Sequence, residues 1–268
     1  MMTESNIPRD CCFAVTGAAS GIGQATAAKL VRSGAQVMAL DRVRPAEPFG
    51  EYIAVDLADP DSINEAASRL PTGLAGLLNI AGVPGTVAPE TLARVNYLGL
   101  RMLTEAVLPK IQRGGAVVSV ASTAGENWRD NLGAHLRLAA TNTFADGLDW
   151  ITRQEWPRER AYAWFKEALI VWVMAKSTGI RAKYGVRVTS VSPGPVDTPI
   201  LDDFRTSLGS ERVSEAIRRG GGAARPDDIA EAIVFLASPA ARWIVGCNLV
   251  VDGGVSASRF EETYAGAA

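Results

Sequence analysis

The chain has 268 residues, of which 47% are hydrophobic and 21% charged, and its net charge is −2. That length suits one α/β domain with a large core. The near-neutral charge, free of any basic block, argues against nucleic acid as the main partner, because phosphate binding needs a clustered positive surface. No apolar run reaches the ~18 residues that suggest a membrane span, and the opening MMTESNIPRD is too polar for a secretion signal, so a cytoplasmic protein is expected.

Cys11, Cys12 and Cys247 form no metal-type spacing and leave an odd count, which points to reduced thiols, no structural disulfide and no metal. The single histidine, His135, leaves little room for a histidine-based triad and reads as a surface or packing residue.

In chain order, CFAVTG reads as a first buried strand and is followed by a helix over 21–33. AQVMALD and YIAVD are two further strands, with a helix over 59–69 after them. GLLNIAG precedes a helix over 89–113, and AVVSVAS precedes an irregular stretch, 123–157, and a long helix over 158–184. VRVTSVSPG leads into a second irregular stretch, 194–224, then a helix over 226–238 and a last strand, NLVVDGG. The strands are apolar at consecutive positions, the pattern of a sheet covered on both faces. Strand and helix alternating in this way predict a parallel, doubly wound α/β sheet of seven strands in a single domain.

The turn VTGAASGIG follows the first strand and opens the first helix, with Gly17, Gly21 and Gly23 in G-x-x-x-G-x-G spacing. Glycines there permit a tight turn and let backbone N–H groups approach a pyrophosphate at the positive end of the helix. The second strand ends at Asp41, 18 residues beyond Gly23 (41 − 23). A carboxylate at that place accepts hydrogen bonds from both ribose hydroxyls of an adenosine and repels a 2′-phosphate, which favours NAD over NADP. Arg42 beside it is the residue that would favour NADP instead. Asp56, at the end of the third strand, is set either to reach an adenine edge or to cap the next helix.

Tyr162 and Lys166 stand four residues apart in AYAWFKEALIVW, so both project from one face of a helix. Spacing alone does not separate a catalytic pair from a half-buried tyrosine beside a solvated lysine.

TGAASGIG, NIAG at 79–82, Asn96, SVAS ending at Ser122, YAWFK and PGPVDTP at 193–199 occur in the order found in the short-chain dehydrogenase/reductase superfamily, which the chain resembles over nearly its whole length. NIAG departs from the usual N-N-A-G by placing Ile80 at the second asparagine. NIAGVPGT, VNYLGLRMLTEAVL, FKEALIVW and PGPVDTPIL are most similar to coniferyl-alcohol dehydrogenases, and the long segment before the tyrosine is similar to that of bacterial 3α-hydroxysteroid dehydrogenase/carbonyl reductases.

The resemblance implies a Rossmann-type fold and an NAD-dependent oxidoreductase interconverting an alcohol and a carbonyl, with a catalytic set of Ser122, Tyr162, Lys166 and Asn96. Tyr162 would be the acid/base, its pKa lowered from ~10 by the Lys166 ammonium and the cofactor's positive ring. Ser122 would hold the substrate oxygen, and Asn96 a water beside Lys166. Cofactor contacts are implied at Gly17, Ser20, Gly21, Ile22, Gly23, Asp41, Asp56, Leu57, Asn79, Ala81, Gly82, Tyr162, Lys166, Pro193, Gly194, Val196 and Thr198, with Asn79 near the adenosine ribose.

Intact Ser122, Tyr162 and Lys166 argue against the rival of another class, a nucleotide-binding regulator without chemistry. Residues 194–224 are expected to cover the substrate, and Trp128, Ile200, Leu201 and Phe204 suggest a bulky, apolar or aromatic alcohol of coniferyl type, with a hydroxysteroid as the alternative. Ser122 and Tyr162 lie 40 residues apart (162 − 122), about 27 more than is usual in the family, and too many for an ordinary connection. Phe144, Leu148 and Ile151 form a helical stripe in this excess, so 123–157 is predicted to be a helical insertion. Near the helix that usually packs against its copy in tetramers, it would leave a homodimer, with the insertion at the subunit interface or the active-site rim; the alternative is a surface excursion that leaves the usual tetramer intact.

Overall fold

The computed structural model describes residues 7–264; the first six residues of the polar opening segment lie outside it. The seven predicted strands form one parallel sheet: β1 (Cys12–Thr16), β2 (Gln36–Asp41), β3 (Gly50–Ala54), β4 (Leu74–Asn79), β5 (Ile111–Val120), β6 (Arg187–Pro193) and β7 (Asn248–Val251), in spatial order β3-β2-β1-β4-β5-β6-β7. Every neighbouring pair is parallel. β4 and β6 are buried at every position, as their unbroken apolar runs require.

α1 (Gly21–Arg32) and α10 (Pro226–Ala237) cover one face of the sheet. α2 (Pro60–Arg69), α3 (Pro89–Ala93), α4 (Leu100–Val107) and α7 (Ala161–Tyr184) cover the other. Strand order reverses between β1 and β4, and such a sheet binds ligands at the carboxyl ends of its strands beside that switch. Gly17, Ile80, Ser122 and Gly194 all lie there, one or two residues beyond β1, β4, β5 and β6.

The helix expected over 89–113 is shorter and irregular. A π-turn, Arg94–Gly99, joins α3 to α4, and β5 already begins at Ile111. Such a bulge inserts one extra residue per turn and recurs at functional positions; this one carries Asn96. A Cβ at Gly99 would sit 1.9 Å from the Leu57 carbonyl oxygen, so only glycine closes that contact. The helix expected from 158 begins at Ala161, after a 3₁₀ turn over Arg158–Arg160. Gly185 ends it in the left-handed conformation, at φ 70°.

The segment 123–157 holds a 3₁₀ turn (Thr123–Gly125) and two helices, α5 (Leu132–Ala139) and α6 (Phe144–Arg153). Thr143 and Asp146 start α6 with a reciprocal capping box. Ile151 of the predicted stripe is buried, with Phe144 and Leu148 packed against the same core. The partner surface is the chain's own: α5 packs on α7, and Trp150 and Trp156 lie 6.3 and 5.3 Å from Trp164 of α7, centroid to centroid. Arg101 of α4, 5% exposed, donates to the carbonyls of Leu138 and Thr141 and so pins the α5–α6 link.

The segment 194–224 carries α8 (Leu201–Leu208) and α9 (Ser210–Arg219). Its ends are tied by backbone bonds from Asp197 N to the Ala224 carbonyl (2.8 Å) and from Ala224 N to the Pro195 carbonyl (2.9 Å). α11 (Val255–Tyr264) closes the described chain. All three cysteines are free, and Cys247 is exposed just before β7.

Candidate active site

The glycine turn shows how tightly this end of the sheet is built. Gly17 has φ 72°, and a Cβ there would sit 2.9 Å from Ala81 backbone atoms; a Cβ at Gly23 would sit 2.0 Å from the Gly17 carbonyl oxygen. Thr16 Oγ1 accepts from the backbone N–H groups of Ile80 (2.9 Å) and Ala81 (3.1 Å), which joins the ends of β1 and β4. Ser20 is the N-cap of α1, yet its side chain makes no capping bond. The first turn of α1 therefore offers N–H groups and the positive end of a helix to a bound anion. A dinucleotide pyrophosphate suits that helix end, and the glycines let the turn pack closely enough against Ala81 and Thr198 to present it.

One cleft is lined by Gly17, Ser20, Gly21, Ile22 and Gly23 from this turn, Ala81 and Gly82 after β4, Ser122 after β5, Tyr162 and Lys166 on α7, and Pro193, Gly194, Val196 and Thr198 at and after β6. Other expected residues stand outside its walls. Asp41, at the end of β2, accepts from Ala19 N (3.0 Å) and Val43 N (3.2 Å). Asp56 accepts from Ala58 N (2.9 Å), while the cap of α2 is Asp59. Leu57 is buried in the core. The Asn79 side chain is turned toward α4, where its Nδ2 donates to Thr104 Oγ1 at 2.8 Å, and its Oδ1 has no partner. Trp128 packs on the core and carries Arg129 over its ring rather than lining the cleft.

Among the expected catalytic residues, Ser122 is near enough to Tyr162 to favour its phenolate. Ser122 also accepts from Ala124 N (3.1 Å), which fixes its hydroxyl at the mouth of β5. Lys166 donates to the Val120 carbonyl (2.8 Å) and lies 5.7 Å from the centre of the Tyr162 ring. Asn96 exchanges both amide bonds with the Val83 backbone, at 2.8 and 2.9 Å, so the π-turn holds the loop after β4. A Cβ at Gly82 would stand 3.3 Å from Asn96 Oδ1 and 3.7 Å from Lys166 Nζ, which shows that these two groups converge on one glycine.

Burial pushes the Tyr162 phenol up to about 12, against a smaller downward effect from Ser122. Burial brings Lys166 down to about 8. The lowered tyrosine expected from sequence is therefore absent in the protein alone: desolvation outweighs the help given to the phenolate. Near neutrality Tyr162 is a phenol, ready to donate a proton, and Lys166 keeps its charge.

A short chain dehydrogenase model matches residues 12–134, and a model described as enoyl-(acyl carrier protein) reductase matches residues 150–256. The coniferyl-alcohol dehydrogenase of Pseudomonas sp. (strain HR199 / DSM 7063) is 43% identical over 91% of this chain and 96% of its own length. The chain belongs to the short-chain dehydrogenase family. Also similar are the 3-alpha-hydroxysteroid dehydrogenase/carbonyl reductase of Comamonas testosteroni, 31% identical over 91% of this chain and 95% of its own, and the solved 3-alpha-hydroxysteroid dehydrogenase of Pseudomonas sp. B-0831 complexed with NADH. The latter superposes with a TM-score of 0.76 at 30% identity, over 92% of this chain and 98% of that one. As a short-chain dehydrogenase with these groups in one cleft, the protein is an oxidoreductase that uses a nicotinamide cofactor. Residues 135–149, which neither family model matches, lie inside the α5–α6 insertion.

Sequence reasoning missed several wall residues: Val83, Leu208, Val213 and Ala216 line the cleft, the last three from α8 and α9. α9 is strongly amphipathic, a signal that could have placed Val213 and Ala216 inward. It also missed the environment of His135, which is fully buried against Glu167. Among the described residues no helix is long and apolar enough to cross a membrane, and no cluster could hold a metal.

Proposed function

We propose that the protein is an NAD-dependent alcohol dehydrogenase acting on a bulky aromatic or apolar alcohol of coniferyl type. The observation that carries this reading is an apolar wall leading onto the reacting groups. Phe204 stands with its ring 5.0 Å from that of Tyr162, and Val83, Ile200, Leu201 and Leu208 line the same cleft. α8 and α9 form the substrate lid, held against the loop after β4 by Thr86 Oγ1 donating to Asp203 (3.2 Å).

When bound along the glycine turn and the walls after β4 and β6, the nicotinamide supplies hydride acceptance or donation. The protein's part is to hold the alcohol oxygen between Ser122 and Tyr162 and to move its proton through the Tyr162 oxygen. Lys166 provides positive charge beside the phenol, and Asn96 holds the loop that borders the lysine. In reduction Tyr162 is the donor, the state in which the buried phenol already stands. Asp41, a carboxylate at the end of β2, supports NAD over NADP.

A screen that follows NADH formation across aryl and allylic alcohols, hydroxysteroids and small secondary alcohols tests the reading; coniferyl-type alcohols should lead. The second reading, a hydroxysteroid dehydrogenase/carbonyl reductase, is favoured by the similarity to the solved hydroxysteroid enzyme, and a hydroxysteroid leading the screen would select it. We also infer a homodimer. The insertion covers part of α7 with the chain's own helix, whereas Trp243 (86% exposed) and Val250 beside or on edge strand β7 are left to meet a second copy.

A further inference from the structure

Glu167 follows the lysine of the site directly in sequence and is 1% exposed, yet it has no part in the chemistry above. A carboxylate removed from water is unfavourable unless charges or hydrogen bonds answer it. Here two hydrogen-bonding side chains and one positive charge do. Asn131 Nδ2 donates to Glu167 Oε2 at 2.8 Å, His135 Nε2 lies 3.0 Å from the same oxygen, and Arg160 Nη2 lies 3.7 Å from Oε1. Burial alone would raise the pKa of Glu167, but the bonds from His135 and Asn131 and the charge of Arg160 win and hold it below the usual carboxylate range.

Because the carboxylate only accepts, His135 must carry its proton on Nε2. Its Nδ1 is buried with no partner, and the ring packs 4.6 Å from Trp164, centroid to centroid.

Both hydrogen-bonding partners belong to the insertion, which starts directly after Ser122. The 3₁₀ turn after Ser122 meets α7 at this same place: a Cβ at Gly125 would stand 2.9 Å from Glu167 N and 2.9 Å from the Lys166 carbonyl carbon. The chain leaving Ser122 thus touches the helix backbone between Lys166 and Glu167, and a few residues later is tied to the Glu167 side chain. Ser122 lies just beyond the end of β5 and Tyr162 on α7; the Lys166–Val120 bond ties the two elements directly, and the contacts at Gly125 and Glu167 add a second tie through the chain that leaves Ser122.

We propose that Glu167, with Asn131 and His135, is a positioning residue: it clasps the insertion onto α7 and thereby sets Ser122 against Tyr162. This rests on the reading of Ser122 and Tyr162 as the reacting pair.

The test is a double-mutant cycle on the full enzyme with the best alcohol of the panel. Glu167→Gln keeps the shape and removes the charge that gathers the donors; kcat should fall roughly 10-fold or more, the scale of a small misplacement, with the KM for NAD little changed. In a Ser122→Ala background the same substitution should cost almost nothing further, because the hydroxyl it positions is gone. Deuterium exchange in the cofactor-free protein should speed up over residues 123–135 and stay unchanged over 36–54. Wild-type kcat in Glu167→Gln, a full loss retained in the Ser122→Ala background, or unaltered exchange over 123–135 would each overturn the proposal. Should Glu167→Gln not fold, Asn131→Ala removes one donor from a half-buried position and is held to the same three criteria, with a kcat loss of roughly 3-fold or more expected. Full turnover in Ser122→Ala alone would instead sink the catalytic reading.

Discussion

Lys166 lies with its ammonium 5.7 Å from the centre of the Tyr162 ring, one helical turn along α7, and donates to the Val120 carbonyl at the end of β5. The lysine therefore joins the helix to the strand that delivers Ser122, while its charge stays near the phenol. The same burial that brings them together drives their acidities in opposite senses, each toward its neutral form.

Replacing Tyr162 by Phe keeps the ring and its contact with Phe204 but removes the oxygen that carries the proton. Turnover should fall by roughly 10²-fold or more, the usual scale of lost acid–base catalysis, while NAD affinity measured by calorimetry stays close to wild type. A variant that keeps most of its turnover would exclude Tyr162 as the acid/base.

Cofactor choice is tested at Asp41. Asp41→Asn keeps the shape and one of the two oxygens that accept from Ala19 N and Val43 N, and removes the charge that repels a 2′-phosphate. The ratio of kcat/KM for NAD over that for NADP should favour NAD in the wild type and drop in the variant. A wild-type preference for NADP would shift the assignment to Arg42.

The buried lysine has a pH signature in stability. Folded Lys166 titrates at about 8, against ~10.4 in an unfolded chain. Between these values the folded lysine is neutral and the unfolded one is charged, so unfolding takes up a proton and the lysine's contribution to stability rises with pH through that window. Urea unfolding of wild type and Lys166→Met, compared at pH values from about 7 to 10, should show the wild type gaining on the variant above pH 8. A difference that stays flat would show an ordinary, solvated lysine.

The assembly prediction concerns mass. With α5 lying on α7 of its own chain, that helix is partly closed to another subunit, and light scattering after size exclusion should give a mass near two chains. A mass near four at working concentrations would show that the insertion leaves the usual packing open.

The sheet and its ends were determined by sequence alone. Consecutive apolar strands, a glycine turn whose Cβ positions clash with backbone, and Tyr162 and Lys166 one turn apart are local patterns, and local patterns dictate local geometry. The parallel, doubly wound arrangement followed from the alternation of strand and helix with right-handed crossovers. What only the tertiary structure decided depended on burial and on neighbours distant in sequence. His135, readable as a surface or packing residue, became a fully buried partner of Glu167 because the insertion folds back onto α7. Asn79 turned toward α4 to meet Thr104. The helix after β4 gave way to a π-turn at Asn96 and ended before Ile111. The Tyr162 phenol moved up to about 12 rather than down, because desolvation is a property of the packed interior and leaves no mark on the order of residues.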